Sequence, residues 1–138
     1  MDWWGGDPKD KPVFDPRSFD IEELKKLCPT LKAGADRRLY QNFLDIIELC
    51  GKNGIKLILY TAPESPVFTR VQKDRFKIKD VIVKTAERYN LRYLDFSVDG
   101  DCYSTNLDRL LFDSQHVRDA EGFSQIFLDT IQKRGVAL

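Results

Sequence analysis

The nine residues 55–63, with the sequence IKLILYTAP, decide the fold class of this chain. A short apolar run that a proline closes is typical of a buried strand flanked by helices. A second strand is predicted over 91–96 (LRYLDF), and helical patterns precede, separate and follow the two strands. The order helix, strand, helix, strand, helix predicts an α/β domain with a short parallel sheet on which the helices pack.

Three amphipathic helices are predicted around these strands. They cover 36–53, ending at Asn53-Gly54, then 74–89, and finally 119–133. Two strands make a narrow sheet, so a third is expected from the N-terminal arm, from Asp99–Phe112 or from another chain. The apolar residues that recur at steps of three and four, near one side of each helix, are Leu39, Phe43, Ile46, Ile47 and Cys50; Phe76, Ile78, Val81, Ile82, Thr85 and Tyr89; and Phe123, Ile126, Phe127 and Ile131.

The chain is expected to form one domain, preceded by an arm. Residues 1–35 contain most of the prolines and are predicted to be irregular, with one short helix capped by Asp20. Residues 36–138 are predicted to form the α/β domain. The aromatic residues of the arm either pack on this domain or, in the alternative interpretation, include two tryptophans (Trp3 and Trp4) that cover a surface where a partner binds.

Composition excludes several function classes. The 138 residues include 22 basic and 22 acidic side chains, so no net charge favours nucleic acid or an anionic membrane. No segment is expected to span a membrane or to act as a signal peptide. Three cysteines and one histidine, without a Cys-x-x-Cys pair, argue against a disulfide scaffold and a metal site. The basic residues Lys73, Arg75, Lys77 and Lys79 are interpreted as a solvated helix face and not as a phosphate track.

Sites of open parallel sheets form at the carboxyl ends of the strands, which here are followed by 61–68 (TAPESPVF) and 97–116. In the first loop, Glu64 is a candidate substrate contact, or else a solvated loop acid. Ser65 is a weak candidate nucleophile, because Pro63 and Pro66 restrict its loop and no helix N-terminus is expected to follow it.

Asp113 and His116 close the second loop, directly before the last helix. A spacing of three residues lets a carboxylate fix the tautomer of an imidazole, so that the two act together on a substrate proton. In the alternative interpretation, Asp113 and Asp119 cap the last turn and helix while His116 is partly exposed. Asp95 ends the second strand and is expected to point toward the same edge.

Three segments in this order resemble the C-terminal part of SGNH/GDSL-type hydrolases, especially bacterial cell-envelope members: IELCGKNGIKLILYTAPESP, AERYNLRYLDFSVD and LLFDSQHVRDAEGFSQIFLDTI. The resemblance implies a three-layer α/β/α fold of flavodoxin-like type that lacks the first strand–helix unit. It also implies that Asp113 and His116 are the acid and base of a Ser-His-Asp triad and that Asp95 has a structural role. The substrates would be O-acyl esters of small molecules or glycans, with no cofactor, in an esterase or acyltransferase lineage.

The sequence departs from that family at the nucleophile. No Gly-Asp-Ser occurs, Gly6-Asp7-Pro8 has proline where the serine should stand, and Val117-Arg118 replaces the Leu-Asn that often follows the histidine. A triad needs a nucleophile and an oxyanion site besides its acid and base. We therefore expect a chain that is inactive alone, with the serine on a missing N-terminal segment or a partner chain.

A catalytically dead binding or assembly module, with a possible homo-oligomer, is the alternative to this incomplete triad. The expected location is the cytoplasm for this chain by default, or the cell envelope for a longer parent protein.

Overall fold

The helices and strands follow the predicted alternation. The computed structural model describes residues 36–66, 69, 72, 75–111, 117 and 119–136. The elements there are α1 (Arg37–Lys52), β1 (Ile58–Thr61), α2 (Arg75–Arg88), β2 (Arg92–Asp95), a 3₁₀ helix (Leu107–Leu110) and α3 (Ala120–Lys133). The prediction of a small α/β fold with a parallel sheet is confirmed. The predictions for residues 1–35, among them the cap at Asp20 and the packing of Trp3 and Trp4, lie outside the described residues.

Side-chain caps fix the ends of the helices. Asp36 Oδ1 accepts hydrogen bonds from Arg38 N at 2.8 Å and from Leu39 N at 3.2 Å, so α1 begins where the sequence pattern begins. Its C-terminal turn passes into Gly54 at φ 66°, a left-handed conformation that glycine adopts without strain. Asp119 Oδ1 accepts from Gly122 N at 2.8 Å at the start of α3. The expected capping role of Asp119 is therefore confirmed.

The two strands are parallel and end together. Their register pairs Ile58 with Arg92 and Thr61 with Asp95, and Phe96 N donates to Thr61 O at 3.1 Å just beyond the last pair. Of the three predicted sources of another strand, the described part of Asp99–Phe112, residues 99–111, contains a 3₁₀ helix and no strand. Because both strands run in one direction, the loops that follow them emerge at one edge of the sheet.

The hydrophobic core lies between β2 and α3. Leu94 and Phe96 point to one face of β2 and pack with Leu107 and Ile131, all of which are buried. Phe96 also meets the rings of Phe123 and Phe127 from α3, with ring centroids 5.3 and 5.8 Å apart. Asp95 alternates to the opposite face of β2, where its carboxylate meets Lys79 of α2.

The apolar periodicity predicted where the helices lie along the chain, but it predicted less well which sides of α1 and α2 are buried. Leu39 and Ile46 are 69% and 54% exposed on α1, and Phe76 is 66% exposed on α2. The buried residue of α1 is Ile47, and the adjacent α2 is joined to α1 by a 3.0 Å hydrogen bond between the hydroxyls of Tyr40 and Thr85. None of the described helices combines the length and the apolar character that crossing a bilayer requires.

Candidate functional site

The edge where β1 and β2 end is lined with charged and hydroxyl side chains. Thr61 is the last residue of β1 and Asp95 the last of β2, and the two are paired in the sheet. The loop after β1 contributes Glu64 and Ser65, as expected from the sequence. The loop after β2 contributes Ser97 and Asp99. Arg75 and Lys79, two basic residues one helical turn apart on α2, complete this group.

Asp95 is the most deeply buried charged group of the described residues, with its side chain 4% exposed. Ser97 donates its backbone N–H at 2.9 Å and its hydroxyl at 2.5 Å to Asp95 Oδ1. Asp95 Oδ2 lies 2.6 Å from Lys79 Nζ, in a close ion pair that lacks the angle of a directional hydrogen bond. These contacts compensate the carboxylate for the water it has lost, which agrees with the structural role expected for Asp95.

The loop after β2 folds tightly back on Asp95. Gly100 N donates to Ser97 O at 2.8 Å, and Cys102 N donates to Asp95 O at 2.9 Å. A Cβ atom on Gly100 would stand 2.6 Å from both the carbonyl carbon and Cγ of Asp95. Glycine is thus required here for a close backbone approach.

Glu64 is held by Arg75, a residue of the first turn of α2. Arg75 Nη1 donates to Glu64 Oε2 at 2.7 Å, and Arg75 Nε lies 3.6 Å from Asp99 Oδ2. Burial raises the pKa of Glu64 above its ordinary value of 4.5, while the charge and hydrogen bond of Arg75 act in the opposite direction. Glu64 is therefore neither a freely solvated loop acid nor an unpaired substrate contact.

A tyrosine–threonine pair bridges the two strands beside these charges. The hydroxyls of Thr61 and Tyr93 lie 2.6 Å apart. Burial raises the pKa of Tyr93 above its ordinary value of 10.0, against the hydrogen bond from Thr61, which lowers it. The phenol is thus neutral at physiological pH and acts as a hydrogen-bonding group.

Ser65 is buried, with 1% of its surface exposed. Pro66 and Thr69 are helical, and Thr69 N donates to Ser65 O at 3.2 Å, so the expectation that no helix start follows Ser65 is wrong. A nucleophile must be reached by its substrate. The burial of Ser65 favours a role in fixing the loop, and its candidacy as a nucleophile stays a weak prediction.

Asp113 and His116 lie outside the described residues, as does Ser114. Leu111 and Val117, on either side of the segment 112–116, form an isolated antiparallel bridge. Leu111 is buried, and Leu107, one turn before it, belongs to the core cluster of Phe96. The two ends of the segment that contains the proposed acid and base are therefore anchored side by side next to the core.

Sequence reasoning missed the basic partners of this edge. Arg75 and Lys79 were interpreted as part of a solvated helix face, but their side chains are 16% and 31% exposed. Arg75 forms an ion pair with Glu64 of the loop after β1, and Lys79 forms one with Asp95 at the end of β2. That interpretation is wrong for these two residues and correct for Lys77, which is exposed, while Lys73 lies outside the described residues. The signal available in the sequence was their spacing of four residues, which places both on one side of α2.

The edge combines three carboxylates with two cations, and its hydroxyl groups are either buried or already hydrogen-bonded. The charged residues are Glu64, Asp95, Asp99, Arg75 and Lys79. Ser65 and Ser97 are buried, and Thr61 is bonded to Tyr93. Such a group can hold loops in place and hydrogen-bond a polar ligand, but these three hydroxyls are not exposed for nucleophilic attack. In the part of the chain that the structure describes, no group of three or more His, Cys, Asp or Glu side chains could hold a metal ion.

Comparison of the chain with protein-family models, with curated proteins and with solved structures found no match in any of the three.

Proposed function

We propose that this chain is an SGNH-hydrolase-like protein of an esterase or acyltransferase lineage that acts on O-acyl esters of small molecules or glycans. Asp113 and His116 are its acid and base. The nucleophilic serine comes from outside these 138 residues, so the chain is inactive alone. The observation that carries this proposal is the parallel pair β1–β2, whose carboxyl ends meet at one edge in the helix–strand order of that superfamily.

The two faces of β2 support the three-layer arrangement of that superfamily. Leu94 and Phe96 pack towards α3, whereas Asp95 meets α2 on the other face. Helices on both faces of a parallel sheet are the usual architecture of such sheets. The proposed fold is thus an SGNH-like sandwich that is shortened by its first strand–helix unit.

In the proposed reaction, the serine oxygen attacks the acyl carbon while His116 takes the proton of the serine hydroxyl. His116 then gives this proton to the leaving alcohol. In the second half of the reaction, water attacks the acyl carbon, His116 takes a proton from that water, and it returns the proton to the serine oxygen as the acid is released. Asp113 orients the imidazole and stabilises its charged form. Each step needs the carboxylate and the imidazole within hydrogen-bonding reach.

The proposed pair can be tested directly because His116 is the only histidine. Its imidazole gives one titration curve by NMR, and a neighbouring carboxylate raises the pKa of an imidazole above its ordinary value of about 6.5. We expect Asp113→Asn to lower that pKa, while the control Asp108→Asn leaves it unchanged. An identical curve for wild type and Asp113→Asn would refute the pair.

Hydrolysis of p-nitrophenyl acetate tests the nucleophile. We expect the wild-type chain to be no faster than His116→Ala, since no nucleophile is present. A faster wild-type rate that both His116→Ala and Ser65→Ala abolish would contradict this and assign the nucleophile to Ser65.

A catalytically dead binding or assembly module is the second candidate. The exposed apolar side chains of α1 favour it, because large apolar groups grouped on a surface mark sites of association. It predicts that Asp113→Asn leaves the His116 titration unchanged.

A further inference from the structure

The outer side of α1 carries the largest exposed apolar side chains of that helix. Leu39, Ile46 and Leu49 are 69%, 54% and 61% exposed. At 3.6 residues per turn the three lie within about 80° of one another around the helix axis. Ile55, just beyond the helix, is 57% exposed. These four residues form what we call the α1 outer face.

Two opposite charges border this face on one flank. Asp45 and Lys52 are seven residues apart, so they lie on the same side of α1 with two turns between them. Both are exposed. Asp45 accepts a hydrogen bond from Gln41 at 2.9 Å, and Lys52 lies 3.8 Å from Glu48 in an exposed pair of small energy. Neither contact prevents either group from meeting an opposite charge on another molecule.

We propose that the α1 outer face binds a second copy of this chain, with the two α1 helices antiparallel and the two-fold axis between Glu48 and Leu49. Residue i then lies opposite residue 97 − i of the other copy. Asp45 of each copy thus faces Lys52 of the other, and Ile46 lies within two positions of Leu49. A two-fold axis forms each of these contacts twice.

The same charges disfavour a parallel orientation of the two helices. In a parallel pair in register, Asp45 would face Asp45 and Lys52 would face Lys52, and like charges opposed across an interface are unfavourable. The inference uses no residue of the strand edge or of the segment 112–116. It is therefore independent of the esterase lineage, and it gives the assembly candidate a surface and a partner.

Sedimentation equilibrium of the full chain tests this interface between about 1 µM and about 1 mM, the range expected for a small interface. We expect a reversible dimer, and we expect Ile46→Asp to raise its dissociation constant at least about tenfold. The matched control is Leu128→Asp, which makes the same kind of change at an exposed position of α3. Loss of the dimer in Leu128→Asp but not in Ile46→Asp would overturn the proposal.

The charge pattern is tested by a swap. Asp45→Lys alone weakens the antiparallel dimer about fivefold, and adding Lys52→Asp restores it, because the exchanged charges again face each other. If neither Asp45→Lys nor the double change alters the dissociation constant of the dimer, the proposed orientation is refuted.

A wild type that is monomeric at every concentration overturns the proposal altogether. If Ile46→Asp then shifts the fluorescence of Trp3 and Trp4, the only tryptophans, the face belongs to the N-terminal segment instead.

Discussion

Two ion pairs, one at the end of β2 and one in the loop that follows it, have nearly the same length and very different surroundings. Lys79 Nζ lies 2.6 Å from Asp95 Oδ2, and Arg134 Nη1 lies 2.7 Å from Asp101 Oδ2. The carboxylate is 4% exposed in the first pair and 64% exposed in the second. The comparison teaches that the distance between two charges does not set their energy, because the solvent that each charge has lost decides the cost of separating them.

The neighbours of each acid reinforce that difference. Asp95 also accepts two hydrogen bonds from Ser97, whose side chain is buried. Asp101 is bound by Arg134, which donates a second hydrogen bond to its backbone carbonyl at 3.2 Å. Removing Asp95 leaves buried donors without an acceptor, whereas water can replace Asp101.

Replacing each of the two acids in turn gives the largest expected difference between the two ion pairs. We expect Asp95→Ala to lower the free energy of unfolding by about 3 kcal/mol, since the partly buried Lys79 ammonium loses its counter-ion and the buried N–H of Ser97 loses its acceptor. Asp101→Ala should cost about 1 kcal/mol or less. Urea unfolding monitored by circular dichroism measures both. Equal losses in the two variants would contradict the assigned role of burial.

A smaller effect is expected at the glycine that lets the loop approach Asp95. Gly100→Ala should cost about 1–3 kcal/mol, because its Cβ would press on the Asp95 backbone, which has little room to move. The matched control is Gly51→Ala in α1, where the added Cβ would meet nothing within 4 Å. That change should stabilise the protein by about 0.5–1 kcal/mol, because alanine favours a helix. A stabilised Gly100→Ala protein would show that the close approach is not a constraint.

The smallest expected effects are pH dependences of opposite sign. The folded-state pKa of Glu64 is raised, so the stability that its protonated form contributes is present below pH 4.5 and lost as the pH rises through the folded value. For Asp101, burial acts to raise the pKa, but the hydrogen bond and charge of Arg134 lower it below 3.8. Its contribution is present above that pH and lost as the pH falls through the folded value.

The free energy of unfolding, measured between about pH 3 and pH 7, distinguishes the opposite pH dependences expected for Glu64 and Asp101. The stability of wild type relative to Glu64→Gln should fall with rising pH, while that relative to Asp101→Asn should rise. Because Asp101 is exposed, ~1 M salt should reduce its effect. A stability relative to Asp101→Asn that falls with rising pH would show that Arg134 does not control Asp101, and one relative to Glu64→Gln that rises would show that burial does not control Glu64.

Local patterns predicted the elements well because they depend on neighbouring residues. Asp36 and Asn53 bound α1 through bonds within one turn, and the apolar run before Pro63 forms β1 within its predicted span. The buried sides of the helices could not be read in this way. Phe76 lies on the predicted apolar side of α2 yet is 66% exposed, while Arg75 faces the loops.

The sequence by itself determined the order of helices and strands, the cap at Asp119, and the presence of Glu64 and Ser65 at the end of β1. Those features follow from hydrogen bonds and side-chain periodicities that span a few residues. The tertiary structure alone decided that Arg75 binds Glu64, that Lys79 binds Asp95 and that Ser65 is buried. Each of these depends on which residues distant in sequence are neighbours in space, and burial then sets the strength of their charges.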